Sequence, residues 1–298
     1  MTELKMAVLG DSVAWGQGLL DKHKYAYLVS SQICGQQPIM QAHSGAKIGF
    51  GYTGKQTKAD PEVPEPVPTI LAQVDQVPEP AIIDLVLIDG GINDVGVQTI
   101  LNPFTRNSSL NLETTDACYK NMKFLLSKAV GIFTKPTCRF VITGYYPILS
   151  SKSDMDLMEA DYLDRLLGLH GLCIPSHLER ISVIKHIISL TEQFWHDSEK
   201  ALLQAVSEIG LGKRMMFAQS PFTEKNALFA SEPWLFGFNP DLAPEDEVIT
   251  LRGGACDAQY PDPLDLVQCE MCHYASIGHP NIIGAEAIST AILNCLNV

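Results

Sequence analysis

Short, continuous apolar runs alternate along this chain with longer stretches whose apolar residues recur at helical spacing. Residues 4–9, 82–89, 139–144 and 215–218 form the first group and read as strands buried on both faces. Residues 25–34, 112–130 and 281–296 form the second and read as helices. Strand and helix in alternation imply a parallel sheet covered by helices. The expectation is therefore a three-layer α/β/α sandwich with a mostly parallel, flavodoxin-like sheet, formed by 1–298 as a single domain.

Three stretches interrupt this rhythm. Residues 59–68 carry Pro61, Pro64, Pro66 and Pro68, which suit neither helix nor central strand, so a stiff surface loop is expected. Residues 150–210 are strongly helical, with Leu157, Leu163, Leu166 and Leu167 in one part and Ile184, Ile187, Ile188 and Phe194 in another. A helical insertion there would follow a strand at the carboxyl edge of the sheet, where open α/β folds bind ligands, and would wall or cover a site. Ordinary packing helices on the sheet face fit the same pattern. Residues 220–276 are rich in Pro, Gly, Asp and aromatic side chains, including Trp234, Phe236 and Phe238, and read as a long irregular loop. Loops of that length inside a compact domain are usually functional.

Composition narrows the partners. Of the 298 residues 46% are hydrophobic, enough for a sizeable core, and the formal net charge is −13. The Lys and Arg residues are scattered, which counts against nucleic acid or an anionic membrane as the main partner. The longest apolar run, 82–88, is broken by Asp84 and is too short for an integral membrane segment. The start, Met1-Thr2-Glu3-Leu4-Lys5, enters the first strand without a basic and then apolar leader, so a cytoplasmic protein is expected; a secreted protein freed of its signal would read the same. Oligomeric state leaves no trace.

Chemistry concentrates in four separated stretches. In Ala7-Val8-Leu9-Gly10-Asp11-Ser12 a strand breaks on Gly and presents a Ser, the geometry that exposes a nucleophile at a sheet end. Ser44-Gly45-Ala46, Gly90-Gly91-Ile92-Asn93-Asp94 and Gly278-His279-Pro280-Asn281 supply what acyl transfer needs beside it. Ser12 would attack a carbonyl, and His279 would act as general base and then general acid. The Ser12 and Gly45 N–H groups and the Asn93 side-chain amide would face the oxyanion, each donor worth about 3 kcal/mol of barrier. Asp11 and Asp94 suit loop bracing better than reaction. No metal or cofactor is required by this chemistry.

These blocks resemble those of the SGNH hydrolases, the GDSL esterases and lipases, in which Ser, Gly, Asn and His occur in this order. Gly10-Asp11-Ser12 looks like the first block, Gly45 the second, Gly91-Ile92-Asn93-Asp94 the third and His279 the last. The resemblance implies a serine esterase acting through an acyl-enzyme on Ser12. Short acyl or acetyl esters of a sugar or small metabolite are the first expectation. Lysophospholipase or thioesterase activity on the same fold, or a non-catalytic protein binding a carbohydrate or acyl ligand through Trp234, Phe236 and Phe238, are the alternatives.

One position departs from the family pattern. Members carry Asp three residues before the His, whereas here Ser276 stands there. This favours a Ser12–His279 dyad in which the imidazole is held by the Ser276 hydroxyl or by a backbone carbonyl of the same loop. Asp257, Asp262 or Asp265 would substitute if the preceding loop folded back.

Of the eight Cys residues, Cys34, Cys118, Cys138, Cys173 and Cys295 sit in helical or strand patterns and read as small apolar residues. Cys256, Cys269 and Cys272 lie in the stretch before His279. A zinc site with His273 would need all of them to converge, and a disulfide from Cys256 to Cys269 or Cys272, or free thiols, are the preferred readings. A disulfide would run against a cytoplasmic location.

Overall fold

The computed structural model describes residues 4–57, 59–159, 177–237 and 246–297. Five parallel strands, β1 (Met6–Leu9), β2 (Ile39–Met40), β3 (Leu85–Ile88), β4 (Arg139–Thr143) and β5 (Met215–Ala218), form one sheet in the order β2-β1-β3-β4-β5. Four of these strands were legible as apolar runs, and β2 was not. Its two residues carry no periodicity of their own and pair with Ala7 and Val8 at the sheet edge.

Helices cover both faces. Helices α2 (Tyr25–Ile33) and α10 (Ile282–Leu296) pack together on one side; α3 (Ile70–Gln76), α6 (Met122–Ile132) and α7 (His177–Ile209) pack on the other. The helix expected over 112–130 runs from α5 (Asn107–Thr115) through a π-helical turn, Asp116–Asn121, into α6. β1 and β3 are buried along their whole length, as strands covered on both faces must be. The three-layer α/β/α sandwich is thus the observed fold.

Of the stretch 150–210, residues His177–Ile209 form α7. α7 lies against α5, α6 and β5, and none of its residues borders the cavity described below. It is a packing helix of the outer layer, not a wall of the site. Leu163, Leu166, Leu167 and Cys173 lie outside the described residues.

Two loop expectations need correction. The Pro-rich segment is not simply surface: Glu62, Val63 and Val67 are buried, because the segment folds inward over the Gly45 turn. The stretch 220–276 is not irregular throughout, since it contains helices α8 (Ile249–Gln259) and α9 (Leu266–His273). These form a hairpin joined by a Cys256–Cys272 disulfide, one of the two pairings expected. Gly253 and Gly254 weaken the helical signal of α8, and Pro261 and Pro263 break the run between the two helices.

Candidate active site

Strand order reverses between β1 and β3: the chain leaves β1 toward β2 on one side and later returns to build β3, β4 and β5 on the other. Crevices at the carboxyl ends of such neighbouring strands are where ligands bind in this architecture. The register Leu9↔Ile88 sets Gly10-Asp11-Ser12 beside Asp89-Gly90-Gly91-Ile92-Asn93.

Ser12 opens a one-turn helix, α1 (Ser12–Trp15), which Asp11 caps by accepting from Val13 N at 2.9 Å. The backbone at Gly10 has φ +152, and a Cβ there would stand 2.0 Å from Asp89 Oδ1. Only glycine lets the chain turn that close to the neighbouring strand end. Gln73 clamps the same residue from below, accepting from Gly10 N at 2.8 Å and donating to Gly10 O at 3.0 Å.

His279 reaches Ser12 from the far end of the chain. Its Nε2 lies 2.6 Å from Ser12 Oγ, and its Nδ1 lies 3.3 Å from the backbone oxygen of Ser276. A carbonyl only accepts, so Nδ1 carries the ring proton and Nε2 is left to accept from the hydroxyl. The Ser276 hydroxyl, the other candidate for this role, is buried and has no hydrogen-bond partner among the described residues. Asp257 and Asp262 are engaged elsewhere: Asp257 pairs with His273, and Asp262 accepts from Leu264 N.

The His279 loop is held by strand-like pairing with the aromatic segment before it. Gly278 N donates to Phe236 O at 2.9 Å, Phe236 N to His279 O at 2.8 Å, and Asn281 N to Trp234 O at 2.9 Å. Phe236 is fully buried, and Trp234 packs edge-on against Phe222. Phe236 and Trp234 thus flank the backbone that holds the histidine. Phe238 lies outside the described residues.

Burial lowers the His279 pKa from its ordinary value to about 4, with the Arg252 charge adding to the effect and the Ser276 carbonyl opposing it. The imidazole is therefore neutral at pH 7.

The proposed oxyanion donors border one cavity. Ser12 and Gly45 N–H groups donate to no protein acceptor among the described residues. Asn93 gives one amide hydrogen to Ala46 O at 3.1 Å, which orients its side chain and leaves the other free. Gly45 has φ +77, and a Cβ there would come within 2.6 Å of Glu65 N in the Pro-rich segment. The glycine is therefore needed both for its backbone angle and for that close approach. Asp94 braces this turn by accepting from Ile48 N at 2.8 Å.

Ser12, Gly45, Asn93 and His279 all border one cavity of about 480 Å³. Much of its wall is apolar, from Val97, Leu101, Ile148, Leu228, Met271 and Ile277. The α8–α9 hairpin contributes Gln268, Met271 and Cys272, so it roofs part of the cavity.

Several supporting residues gave no motif signal. Tyr145 donates from its hydroxyl to Asp11 Oδ2 at 2.7 Å and accepts from Ile92 N at 3.1 Å, bridging the Ser12 and Asn93 segments. Asp89 accepts from Asp11 N at 2.8 Å through one oxygen, while the other is buried with no donor to it among the described residues. Burial and the nearby Asp11 carboxyl raise the Asp89 pKa far above the usual carboxylate range. Arg252, fully buried, pairs with Asp246 and Glu62 and donates to the His273 carbonyl, tying the hairpin to the Pro-rich segment. Tyr145 and Asp89 do stand just past strand ends, the one sequence position that marks them.

No family model matches the sequence, and no curated protein matches it. Solved structures do. The lipase Lip_vut3 from a goat rumen metagenome has a TM-score of 0.51 at 14% identity, over 98% of this chain and 97% of its own. A protein from Lactobacillus plantarum gives 0.49 at 15% identity, over 100% and 98%, and a GDSL-like lipase from Parabacteroides merdae 0.41 at 12%, over 99% and 96%. At such identities the likeness to Lip_vut3 shows a shared fold.

Proposed function

We propose that this chain is a serine esterase of the SGNH hydrolase type, a single domain that cleaves carboxylic esters through an acyl-enzyme on Ser12. The observation that carries the reading is the 2.6 Å contact between Ser12 Oγ and a neutral His279 whose other nitrogen faces a carbonyl. His279 takes the hydroxyl proton as Ser12 attacks, then gives it to the departing alcohol. The Ser12 and Gly45 N–H groups and the free Asn93 amide hydrogen stabilise the oxyanion. Water admitted to the same site, activated by His279, releases the acid.

Lacking a carboxylate behind it, the imidazolium formed during attack is stabilised only by the Ser276 carbonyl and the oxyanion opposite. This is a dyad rather than a triad. The carbonyl, not the hydroxyl, is the partner that fits.

The apolar cavity wall moves the substrate reading from acetyl toward longer acyl chains. A specific observation also favours a lipid ester: Leu251, Leu264 and Leu266 of the roofing hairpin are 72%, 88% and 68% exposed. Exposed apolar side chains beside a site suit an amphiphilic substrate such as a lysophospholipid. Among the described residues no helix is long and apolar enough to cross a membrane. The Cys256–Cys272 bond favours an oxidising compartment over the cytoplasm first expected.

Hydrolysis of p-nitrophenyl esters of increasing chain length, with Ser12→Ala beside the wild type, tests both points. Ser12-dependent turnover peaking beyond acetate supports the reading. A folded protein with no Ser12-dependent turnover on any chain would favour the ligand-binding alternative.

A further inference from the structure

Apart from the Ser12 site, one cluster of metal-ligating side chains stands out on the α8–α9 hairpin. Asp257, Cys269 and His273 bring one donor atom each to within 4.8 Å of one another. Asp257 Oδ1 lies 2.8 Å from His273 Nε2 and 3.4 Å from Cys269 Sγ. A tetrahedral ion with bonds of about 2.0–2.3 Å places its donors roughly 3.3–3.6 Å apart, so small rotamer shifts suffice.

The backbone holds these donors in place. Cys269 and His273 are four residues apart on α9 and so share a face. Asp257 and His273 each follow directly on a cysteine of the Cys256–Cys272 bond, whose Cα atoms are 5.8 Å apart. The His273 ring lies over Gly253, one turn before Asp257, where a Cβ would meet its Cε1 at 3.2 Å. The His273 carbonyl is anchored by Arg252 at 2.9 Å. Ring, carboxylate and thiol are thus aimed at one point by a disulfide, a glycine slot and a buried guanidinium.

We propose that Asp257, Cys269 and His273 bind a single divalent transition-metal ion, with Zn²⁺ the best match to one sulfur, one imidazole nitrogen and one carboxylate oxygen. Water completes the tetrahedron. Binding displaces the Cys269 thiol proton to solvent, and His273 coordinates through Nε2 with its proton on Nδ1. The ion ties the two helices together beside the disulfide. Because Gln268, Met271 and Cys272 of this hairpin border the cavity, the clamp steadies the roof of the site without entering its chemistry. The proposal stands independently of Ser12 being a nucleophile.

The test uses the full chain, freed of metal by a chelator and kept without reductant so that the disulfide persists. Titration with Co²⁺ as optical probe should give one equivalent, with a thiolate-to-metal charge-transfer band and the intense d–d absorption of a tetrahedral site. Zn²⁺ should displace the Co²⁺ stoichiometrically and raise the melting temperature. Cys269→Ser should abolish the charge-transfer band, and Asp257→Asn should weaken binding at least about tenfold, both with unchanged circular dichroism. No stoichiometric binding, or binding unaffected by either substitution, would overturn the proposal.

Discussion

The Tyr145 hydroxyl donates to Asp11 Oδ2 at 2.7 Å while accepting from Ile92 N, so one phenol couples the turn that presents Ser12 to the turn that presents Asn93. Nucleophile and oxyanion donor come from different strands, and their separation depends on such bridges. Tyr145→Phe would leave a buried carboxylate oxygen and a buried N–H unpaired. We expect a stability loss of about 1–3 kcal/mol and a fall in kcat of roughly tenfold to a hundredfold, with little change in KM. Urea unfolding and steady-state kinetics measure the two effects; an unchanged kcat would show that the bridge does not position the site.

Ser276 tests which group holds the imidazole. Its hydroxyl is buried without a partner among the described residues, and its carbonyl faces His279 Nδ1. Ser276→Ala keeps the carbonyl, so turnover should change by less than about twofold, since removing an unpaired buried hydroxyl is nearly neutral. A large loss of kcat would return the orienting role to the hydroxyl.

The pH profile reports on the same ring. With the His279 pKa lowered to about 4, kcat/KM should hold steady well below pH 6.5 and fall only as the pH drops toward about 4. Protonation on the acid side removes the base, which fixes the sign. Ser276→Asp, which puts a carboxylate behind Nδ1, should move this limb to higher pH and raise turnover. An acid limb at or above pH 6.5 in the wild type would contradict the buried, neutral base.

Asp89 gives a stability prediction with the opposite sign. Its folded pKa lies above the unfolded one, so the native state retains a proton that the unfolded chain loses above about pH 4. Stability therefore declines as pH rises through that interval. Asp89→Asn can still accept from Asp11 N and carries no charge. Its melting temperature should exceed the wild type's by more at pH 8 than at pH 5, and equal differences at both would show that Asp89 is ionised in the native protein.

The resemblance drawn from Ser12, Gly45, Asn93 and His279 was legible because Ser12 and Asn93 sit just past apolar runs and all four fall in short glycine-containing stretches in a fixed order. The ends of β1 and β3 are visible as changes of pattern, and the register of the parallel sheet brings Ser12 and Asn93 together, whereas His279 is placed by its pairing with the Trp234–Phe236 segment. Tyr145, Asp89 and Arg252 were not legible, because their partners lie tens to hundreds of residues away and a buried hydrogen bond leaves no periodicity. The hairpin of α8 and α9 was hidden for a local reason: glycines and prolines in and between the helices look like loop. An amphipathic stripe likewise did not reveal that α7 packs on the outer layer, since it shows that a face is buried but not against what.

The most direct test of the central claim is to react the purified protein with a fluorophosphonate and locate the adduct by peptide mass spectrometry. Attack by an activated hydroxyl expels fluoride and leaves a phosphonyl ester. The account predicts a single adduct on Ser12, lost in Ser12→Ala and slowed on the order of a thousandfold in His279→Ala. A folded protein left unlabelled, or labelled equally with and without His279, would contradict it.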